Sequence, residues 1–170
     1  MPNEGVTLQQ VEDFINNKLK TELREDILHH KMLREGDLEC STYYHLRKLL
    51  KPDRRWRLFA RKYVKAIRRY PDLLVLKDQK PQIAIELKWR REKIASKDRN
   101  TLGKCLSKLG VHKVYFITTV IEKSDYKKLR WKKEPEEKYR LKEIVVRLSL
   151  RGRQKQKWEA QHEEYKAVFR

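Results

Sequence analysis

Apolar side chains recur at helical spacing through the first fifty residues. This pattern predicts an amphipathic helix over residues 8–24, which Thr7 and Gln10 would start as a capping box, and a second helix over residues 36–50 that ends before Pro52. The positions on the shared faces are Val11, Phe14, Ile15, Leu19 and Leu23 in the first helix, and Leu38, Thr42, Leu46 and Leu49 in the second.

From residue 56 onward the pattern becomes that of β-strands separated by helices. Alternating or β-branched segments predict strands over residues 56–67, 72–76, 82–89, 114–121 and 144–150, with a hairpin turn at residues 77–81. Helices are predicted over residues 98–109, where Gly110 ends the pattern, over 124–131 and over 156–169. Strands joined both by a hairpin and by a crossover helix indicate an α/β fold, with a mixed central β-sheet flanked by helices.

The composition points to a polyanionic partner. The chain has 170 residues, the length of one domain, and a formal net charge of +19, with 39% charged residues against roughly 25% in ordinary globular domains. Binding to a polyanion usually offsets such self-repulsion, so we expect nucleic acid, with an anionic membrane surface as the second choice. Residues 1–40 carry 5 basic and 9 acidic side chains and residues 41–170 carry 38 and 15, so the basic surface belongs to the later part of the chain.

Several classes of protein are disfavoured by what the sequence lacks. No apolar run approaches 18 residues and the N-terminus has no signal-peptide core, so we expect no membrane association and an intracellular protein, cytoplasmic or nucleoid-associated and not secreted. Cys40 and Cys105 lie far apart and form no C-x-x-C pair, which disfavours a zinc ribbon. The lack of a G-x-x-x-x-G-K-[ST] segment disfavours ATP binding.

One predicted hairpin carries the candidate chemistry. Because side chains alternate along a strand, Glu86 and Lys88 are expected on one face and Leu87 on the other. Residue 79 is midway between Asp72 and Glu86, so a hairpin folded at Gln79 would place these carboxylates directly opposite each other, with Cβ atoms about 5 Å apart. Two carboxylates that close repel unless they share a cation or a proton, and oxygen ligands of this kind suit Mg²⁺ or Mn²⁺.

The pair Pro71-Asp72, followed by Glu86-Leu87-Lys88, resembles the PD-(D/E)XK nuclease motif in its spacing and in its setting on consecutive strands. The resemblance covers roughly residues 35–121 and implies a restriction-endonuclease-like fold. It implies that Asp72, Glu86 and the backbone carbonyl of Leu87 bind a Mg²⁺ or Mn²⁺ ion, and that Lys88 orients or deprotonates the attacking water.

The resemblance extends to the helix before the hairpin, where a glutamate of the family often adds to the metal site. Glu39 is the best match and Glu35 the second. Family members often act as symmetric dimers, so the resemblance is compatible with a homodimer, although no residue of this chain argues for one. The chain has no clear Q-x-x-x-Y element after the core, which leaves the branch of the family open.

We therefore expect one nuclease domain over residues 1–170. It would comprise an acidic helical segment over 1–34, a catalytic core over 35–121 and a basic C-terminal part over 122–170. The expected activity is Mg²⁺-dependent hydrolysis of phosphodiester bonds in DNA, most simply as an endonuclease. The alternative is a non-catalytic nucleic-acid-binding or recombination accessory module that retains the fold.

Basic side chains beside tryptophans are candidates for phosphate contact and base stacking. The candidate nucleic-acid-binding residues are Arg55 and Arg57 beside Trp56, Arg90 and Arg91 after the hairpin strand, and Lys128, Arg130 and Trp131 farther along. The alternative interpretation of these runs is an ordinary solvated basic surface.

Plain structural roles are also open for the hairpin acids. Asp72 could accept only backbone N–H groups at the start of its strand, and Glu86 and Lys88 could form an exposed pair on an edge strand. Against this, the face of Asp72 also carries Leu74 and Leu76, and charged groups on an apolar face are the less common arrangement.

Overall fold

A five-stranded mixed β-sheet is the centre of the protein. A computed structural model describes residues 5–89, 95–121 and 140–168. The strands are β1 (Trp56–Ala60), β2 (Leu73–Lys77), β3 (Lys80–Lys88), β4 (Lys113–Ile121) and β5 (Leu141–Leu148), and they lie in the sheet in the order 1-2-3-4-5. The strand β2 is antiparallel to both of its neighbours, β1 and β3, whereas β3, β4 and β5 run parallel. The prediction of a mixed sheet flanked by helices is confirmed.

Helices cover both faces of this sheet. The N-terminal helical region consists of α1 (Leu8–Asp13), a π-helical turn (Phe14–Lys18) and α2 (Leu19–Leu28), and is followed by α3 (Glu35–Leu50). The helix α4 (Ser96–Leu109) connects β3 to the parallel strand β4, and α5 (Gly152–Val168) follows β5. Thr7 and Gln10 form the predicted capping box at the start of α1, and Gly110 ends α4 in the left-handed conformation with a φ of 63°. The helix predicted over residues 124–131 lies outside the described residues.

The alternation of side chains along the hairpin separates two apolar cores. One core contains Ile83, Ile85 and Leu87 of β3 and packs against α1, α2, α3 and Trp158 of α5. The other contains Leu74 of β2 and Ala84 of β3, and packs against Leu102, Cys105 and Leu106 of α4. Because Glu86 and Lys88 alternate with the first set, they belong to the face that α4 covers.

The β2–β3 hairpin turns more tightly than the sequence indicates. Lys77 pairs with Lys80, so the loop is the two residues Asp78 and Gln79, which have φ angles of 48° and 66°. Positive φ at both positions fits the right-handed twist of the flanking strands. A β-bulge then shifts the register, because Leu76 pairs with Pro81 while Val75 pairs with Ile83.

The strand predicted over residues 56–67 is wrong beyond Ala60. Arg61 takes a φ of 44°, in the left-handed region, and this backbone conformation ends the strand. The chain then folds back on itself, with an isolated bridge between Val64 and Arg69, before β2 begins. The Arg61 N–H donates a 2.9 Å hydrogen bond to the Asp72 carbonyl, so the two ends of the segment between β1 and β2 are in contact. Nothing in the periodicity of apolar residues marks such a reversal.

No helix among the described residues is long and apolar enough to cross a membrane.

Candidate functional site

The hairpin carboxylates Asp72 and Glu86 lie together, as the sequence predicts. Leu73 pairs with Ile85, so the next step along the ladder places Asp72 opposite Glu86. Both side chains are buried, with 9% of Asp72 and 4% of Glu86 exposed. The strand β3 is in the middle of the sheet, so the interpretation of Glu86 and Lys88 as an exposed pair on an edge strand is wrong.

A backbone hydrogen bond fixes the position of Asp72. The Leu87 N–H donates a 2.8 Å hydrogen bond to Asp72 Oδ2. The prediction that Asp72 accepts a backbone N–H at the start of its strand is therefore confirmed, but this bond does not exclude a second role for the carboxylate. The N–H and C=O groups of one strand residue point to the same edge. The Leu87 carbonyl, which the resemblance implies as a metal ligand, therefore faces the same edge as the Asp72 carboxylate.

The Lys88 ammonium group lies among the carboxylates of three residues that are far apart in the sequence. Its Nζ atom is 3.4 Å from Glu35 Oε1 in α3, 4.0 Å from Asp72 Oδ2 and 3.8 Å from Asp98 Oδ1 in α4. Burial lowers the pKa of Lys88, but the charges of Asp72, Asp98, Glu35 and Glu86 outweigh it and raise that pKa above its usual value. At neutral pH and without a metal ion, Lys88 is therefore positively charged.

A second cation, Arg61, holds the other side of the cluster. Its Nε atom is 2.7 Å from Glu39 Oε2 and 3.9 Å from Asp72 Oδ1. Burial raises the pKa of Glu39, and the charge of Arg61 opposes this effect without reversing it. The two glutamates of α3 thus take different partners, since Glu39 contacts Arg61 and Glu35 contacts Lys88.

Glu86 is the group whose ionisation is most strongly opposed. Burial, the charge of Asp72 and a hydrogen bond with Asp72 raise the pKa of Glu86 to about 9. The neighbouring Cys105 thiol is also affected, because burial and the charge of Glu86 raise its pKa to about 12. In the absence of a further cation, this environment favours the protonated form of Glu86, as expected for two carboxylates at this separation.

The charge of the cluster is unbalanced. Five carboxyl groups and two cationic side chains meet here, in a protein whose formal net charge is +19. The carboxyl groups belong to Glu35, Glu39, Asp72, Glu86 and Asp98, and the cations are Lys88 and Arg61. In addition, the buried Asp98 Oδ2 atom has no hydrogen-bond partner among the described residues, which is costly for a carboxylate unless a cation approaches it.

The donor chemistry of the cluster fits a hard divalent cation. In residues 5–89, 95–121 and 140–168, no group of three or more His, Cys, Asp or Glu side chains is arranged to hold a metal ion. Mg²⁺ does not require such a group, because it takes one or two carboxylates and completes its octahedron with water and phosphate oxygens. Asp72, Glu86 and the carbonyl of Leu87 provide that smaller set.

Two residues of the cluster were not among the predicted site residues. Asp98 lies in the first turn of α4, three and four residues before the buried Thr101 and Leu102. A carboxylate on the buried stripe of a crossover helix is a signal that the sequence does contain. Arg61 reaches the site only because the chain reverses at that residue, and the sequence has no comparable signal for it.

The predicted nucleic-acid-binding residues fall into two groups. Arg55 and Arg57 lie at the start of the edge strand β1, and both are exposed. Arg55 is engaged by Asp53, whose Oδ2 atom is 2.7 Å from Arg55 Nη2, whereas Arg57 lines a surface cavity. The remaining candidates lie outside the described residues: Arg90, Arg91, Lys128, Arg130 and Trp131.

The chain matches no protein-family model, no curated protein and no solved structure.

Proposed function

We propose that this protein is a metal-dependent nuclease that hydrolyses phosphodiester bonds in DNA. The observation that carries the proposal is the position of Lys88, whose ammonium group meets carboxylates of Glu35, Asp72 and Asp98 beside the buried Glu86. Buried carboxylates in excess of the cations around them favour the uptake of a divalent cation. The resemblance of the hairpin to the PD-(D/E)XK motif supports the same assignment.

Asp72, Glu86 and the carbonyl of Leu87 would hold the metal ion. When bound, Mg²⁺ or Mn²⁺ would polarise the scissile phosphate and lower the pKa of a water molecule. The proximity of Asp72 and Glu86 is compatible with this role. A divalent cation between them would lower the pKa of Glu86, so both carboxyl groups could bind the ion in their charged form.

Lys88 would act on the phosphate or on the attacking water. In the metal-free protein its raised pKa keeps the ammonium group charged, and such a group can stabilise the negative charge that develops on the phosphate oxygens or orient the water. Glu35 and Asp98 hold this ammonium group from two different helices, α3 and α4. They are therefore positioning residues in this proposal.

A cleavage assay tests the proposal directly. Supercoiled, linear, branched and single-stranded DNA would each be incubated with Mg²⁺, Mn²⁺, Ca²⁺ or EDTA. We expect Mg²⁺ or Mn²⁺ to support cleavage, EDTA to abolish it, and Ca²⁺ to support binding without turnover, because Ca²⁺ coordinates at longer distances in a looser geometry. Full activity after exhaustive chelation would reject a site built on two carboxylates.

A second candidate is a non-catalytic nucleic-acid-binding or recombination accessory module. The observation that favours it is that Lys88 and Arg61 already pair with carboxylates of the cluster, as they would in a structural ion-pair network. Such a network would be stable without a divalent cation. Thermal melts that do not change with Mg²⁺, together with DNA binding and no cleavage, would favour this candidate.

A further inference from the structure

A basic cavity lies at the C-terminal end of α3. The five carboxyl groups around Lys88 and Arg61, called the acid cluster from here on, lie near the other end of this helix. It is formed where the last turn of α3 meets the start of the edge strand β1. Four of its lining residues are cations, namely Arg47, Lys51, Arg54 and Arg57, and all four are exposed. The lining also contains Tyr43 and the apolar residues Leu50, Trp56 and Leu58.

The single acidic residue of this lining does not cancel the positive charge. Asp53 Oδ1 and Oδ2 accept hydrogen bonds from the guanidinium group of the adjacent Arg55, at distances of 2.7–3.2 Å. These hydrogen bonds lower the pKa of Asp53 to about 2. Asp53 is thus paired with Arg55, and no salt bridge among the described residues engages the four cations of the cavity.

The elements that border the cavity also border the acid cluster. The helix α3 and the strand β1 lie side by side in opposite directions, since Glu39 contacts Arg61 at one end and the cavity joins Arg47 to Arg57 at the other. Arg47 and Lys51 lie twelve residues beyond Glu35 and Glu39, respectively, so a helical rise separates the two sites by about 18 Å. The four residue steps from Arg57 in β1 to Arg61 just after it give about 13 Å.

We propose that this cavity binds backbone phosphates of a DNA duplex whose scissile phosphate lies at the acid cluster. The proposal rests on the proposed nuclease function for the position of the second site. Phosphates of one strand are spaced by about 3.4 Å along the duplex axis, so 13–18 Å corresponds to about four or five base pairs. The cavity is open and exposed, as a site for a continuous polyanion must be.

The test compares two double variants that remove equal charge. Arg47→Ala/Arg54→Ala removes two cations of the cavity, and Lys108→Ala/Lys142→Ala removes two exposed lysines from α4 and β5. Affinity for a 30-base-pair duplex would be measured at several salt concentrations without divalent cations. We expect the cavity variant to bind about tenfold more weakly than the control, with a salt slope about 2 smaller than that of the wild type.

A second cavity variant protects the test against an effect on folding. Arg54→Ala/Arg57→Ala leaves α3 unchanged and is expected to weaken binding in the same way, while thermal melts report on the fold. Equal affinities of the cavity and control variants would overturn the proposal. A selective loss of binding to anionic lipid vesicles, with unchanged duplex binding, would also overturn it.

The outcome is independent of the outcome for the nuclease. If no variant and no metal ion gives cleavage, the comparison of affinities still supports or rejects the cavity as a phosphate site. If cleavage is metal-dependent and the cavity variants bind as the control does, the nuclease stands and the cavity proposal fails.

Discussion

The Leu87 N–H donates a hydrogen bond of 2.8 Å to the carboxylate of Asp72, fifteen residues earlier in the chain. Asp72 directly precedes β2, and Leu87 lies near the end of β3. The bond therefore extends the contact between the two strands beyond the pair of Leu73 and Ile85. An asparagine at position 72 could accept the same bond through its amide oxygen, so the charge of Asp72 can be removed without removing the contact. The two roles of this side chain can therefore be separated by experiment.

Asp72→Asn is expected to lose nearly all cleavage and to remain folded. The variant removes a proposed carboxylate ligand and keeps an acceptor for the Leu87 N–H. Asp78→Asn is the matched control, because Asp78 is exposed in the two-residue turn and asparagine tolerates its φ of 48° well. Single-turnover cleavage and thermal melts of both proteins provide the measurement. Equal activities would mean that the motif arises by chance in a highly charged sequence.

Glu86 is expected to make the stability of the metal-free protein fall as pH rises. The native state holds the Glu86 proton up to a pH of about 9, whereas the unfolded chain releases it near its ordinary pKa of 4.5. Stability from this group is thus complete below pH 4.5 and is lost as pH rises toward 9. Denaturant unfolding of the wild type and Glu86→Gln, compared across this range, isolates the effect.

Binding of Mg²⁺ is expected to displace the proton of Glu86. Between pH 5 and 8, we expect uptake of the ion to release about one proton and the affinity to rise about tenfold per pH unit. Calorimetry in two buffers of different ionisation enthalpy measures the proton release directly. A pH-independent affinity, or the same proton release in Glu86→Gln, would contradict the assignment of Glu86 as a ligand.

Lys88→Met is expected to lose cleavage and keep DNA binding. One charge among 43 basic residues contributes little to the overall attraction, whereas the ammonium group is the cation that meets Glu35, Asp72 and Asp98. The metal-free variant should be about 3 kcal/mol less stable, because buried carboxylates lose their partner, and Mg²⁺ should restore part of that loss. Cleavage at the wild-type rate would show that Lys88 serves only to neutralise the cluster.

Asp98→Asn tests whether α4 positions Lys88. We expect cleavage to fall about a hundredfold, since a small displacement of a catalytic group has effects of this size. Stability of the metal-free protein should change by less than about 1 kcal/mol, because the loss of a contact with Lys88 is offset by removal of a crowded charge. Measured kcat and thermal melts decide between this role and a purely structural one, which would lower stability and leave kcat unchanged.

The part of the site that the sequence predicts is the part that depends on strand periodicity. Side chains two residues apart on β3 share a face in any sheet, so the common face of Glu86 and Lys88 follows from the sequence alone. The pairing of Asp72 with Glu86 was predicted from a turn centred on Gln79, although the turn lies at Asp78 and Gln79. The tighter turn alone would pair Asp72 with Ile85, and the bulge after Pro81 moves the register by one residue to Glu86. The correct partner therefore results from the turn and the bulge together, and neither is visible in the periodicity.

The rest of the site depends on where separate elements cross. Asp98 reaches Lys88 because α4 packs on the face of the sheet that carries Glu86, and no local pattern encodes this distance. Arg61 is near Asp72 because a non-glycine residue adopts positive φ, which sequence rules treat as rare. The choice between Glu35 and Glu39 also required the orientation of α3, which brings each glutamate to a different cation.

The bulge beside Pro81 makes the site sensitive to the length of the hairpin. Proline provides no N–H to the ladder, and Gln82 is the extra residue that restores the pairing of Val75 with Ile83. If Gln82 were forced into the ladder, Asp72 would come opposite Ile85 instead of Glu86. One inserted residue between the bulge and Glu86 would likewise exchange the two faces, whereas two would preserve them. Natural variation in this hairpin is therefore expected to come in steps of two residues, or as deletion of Gln82 itself.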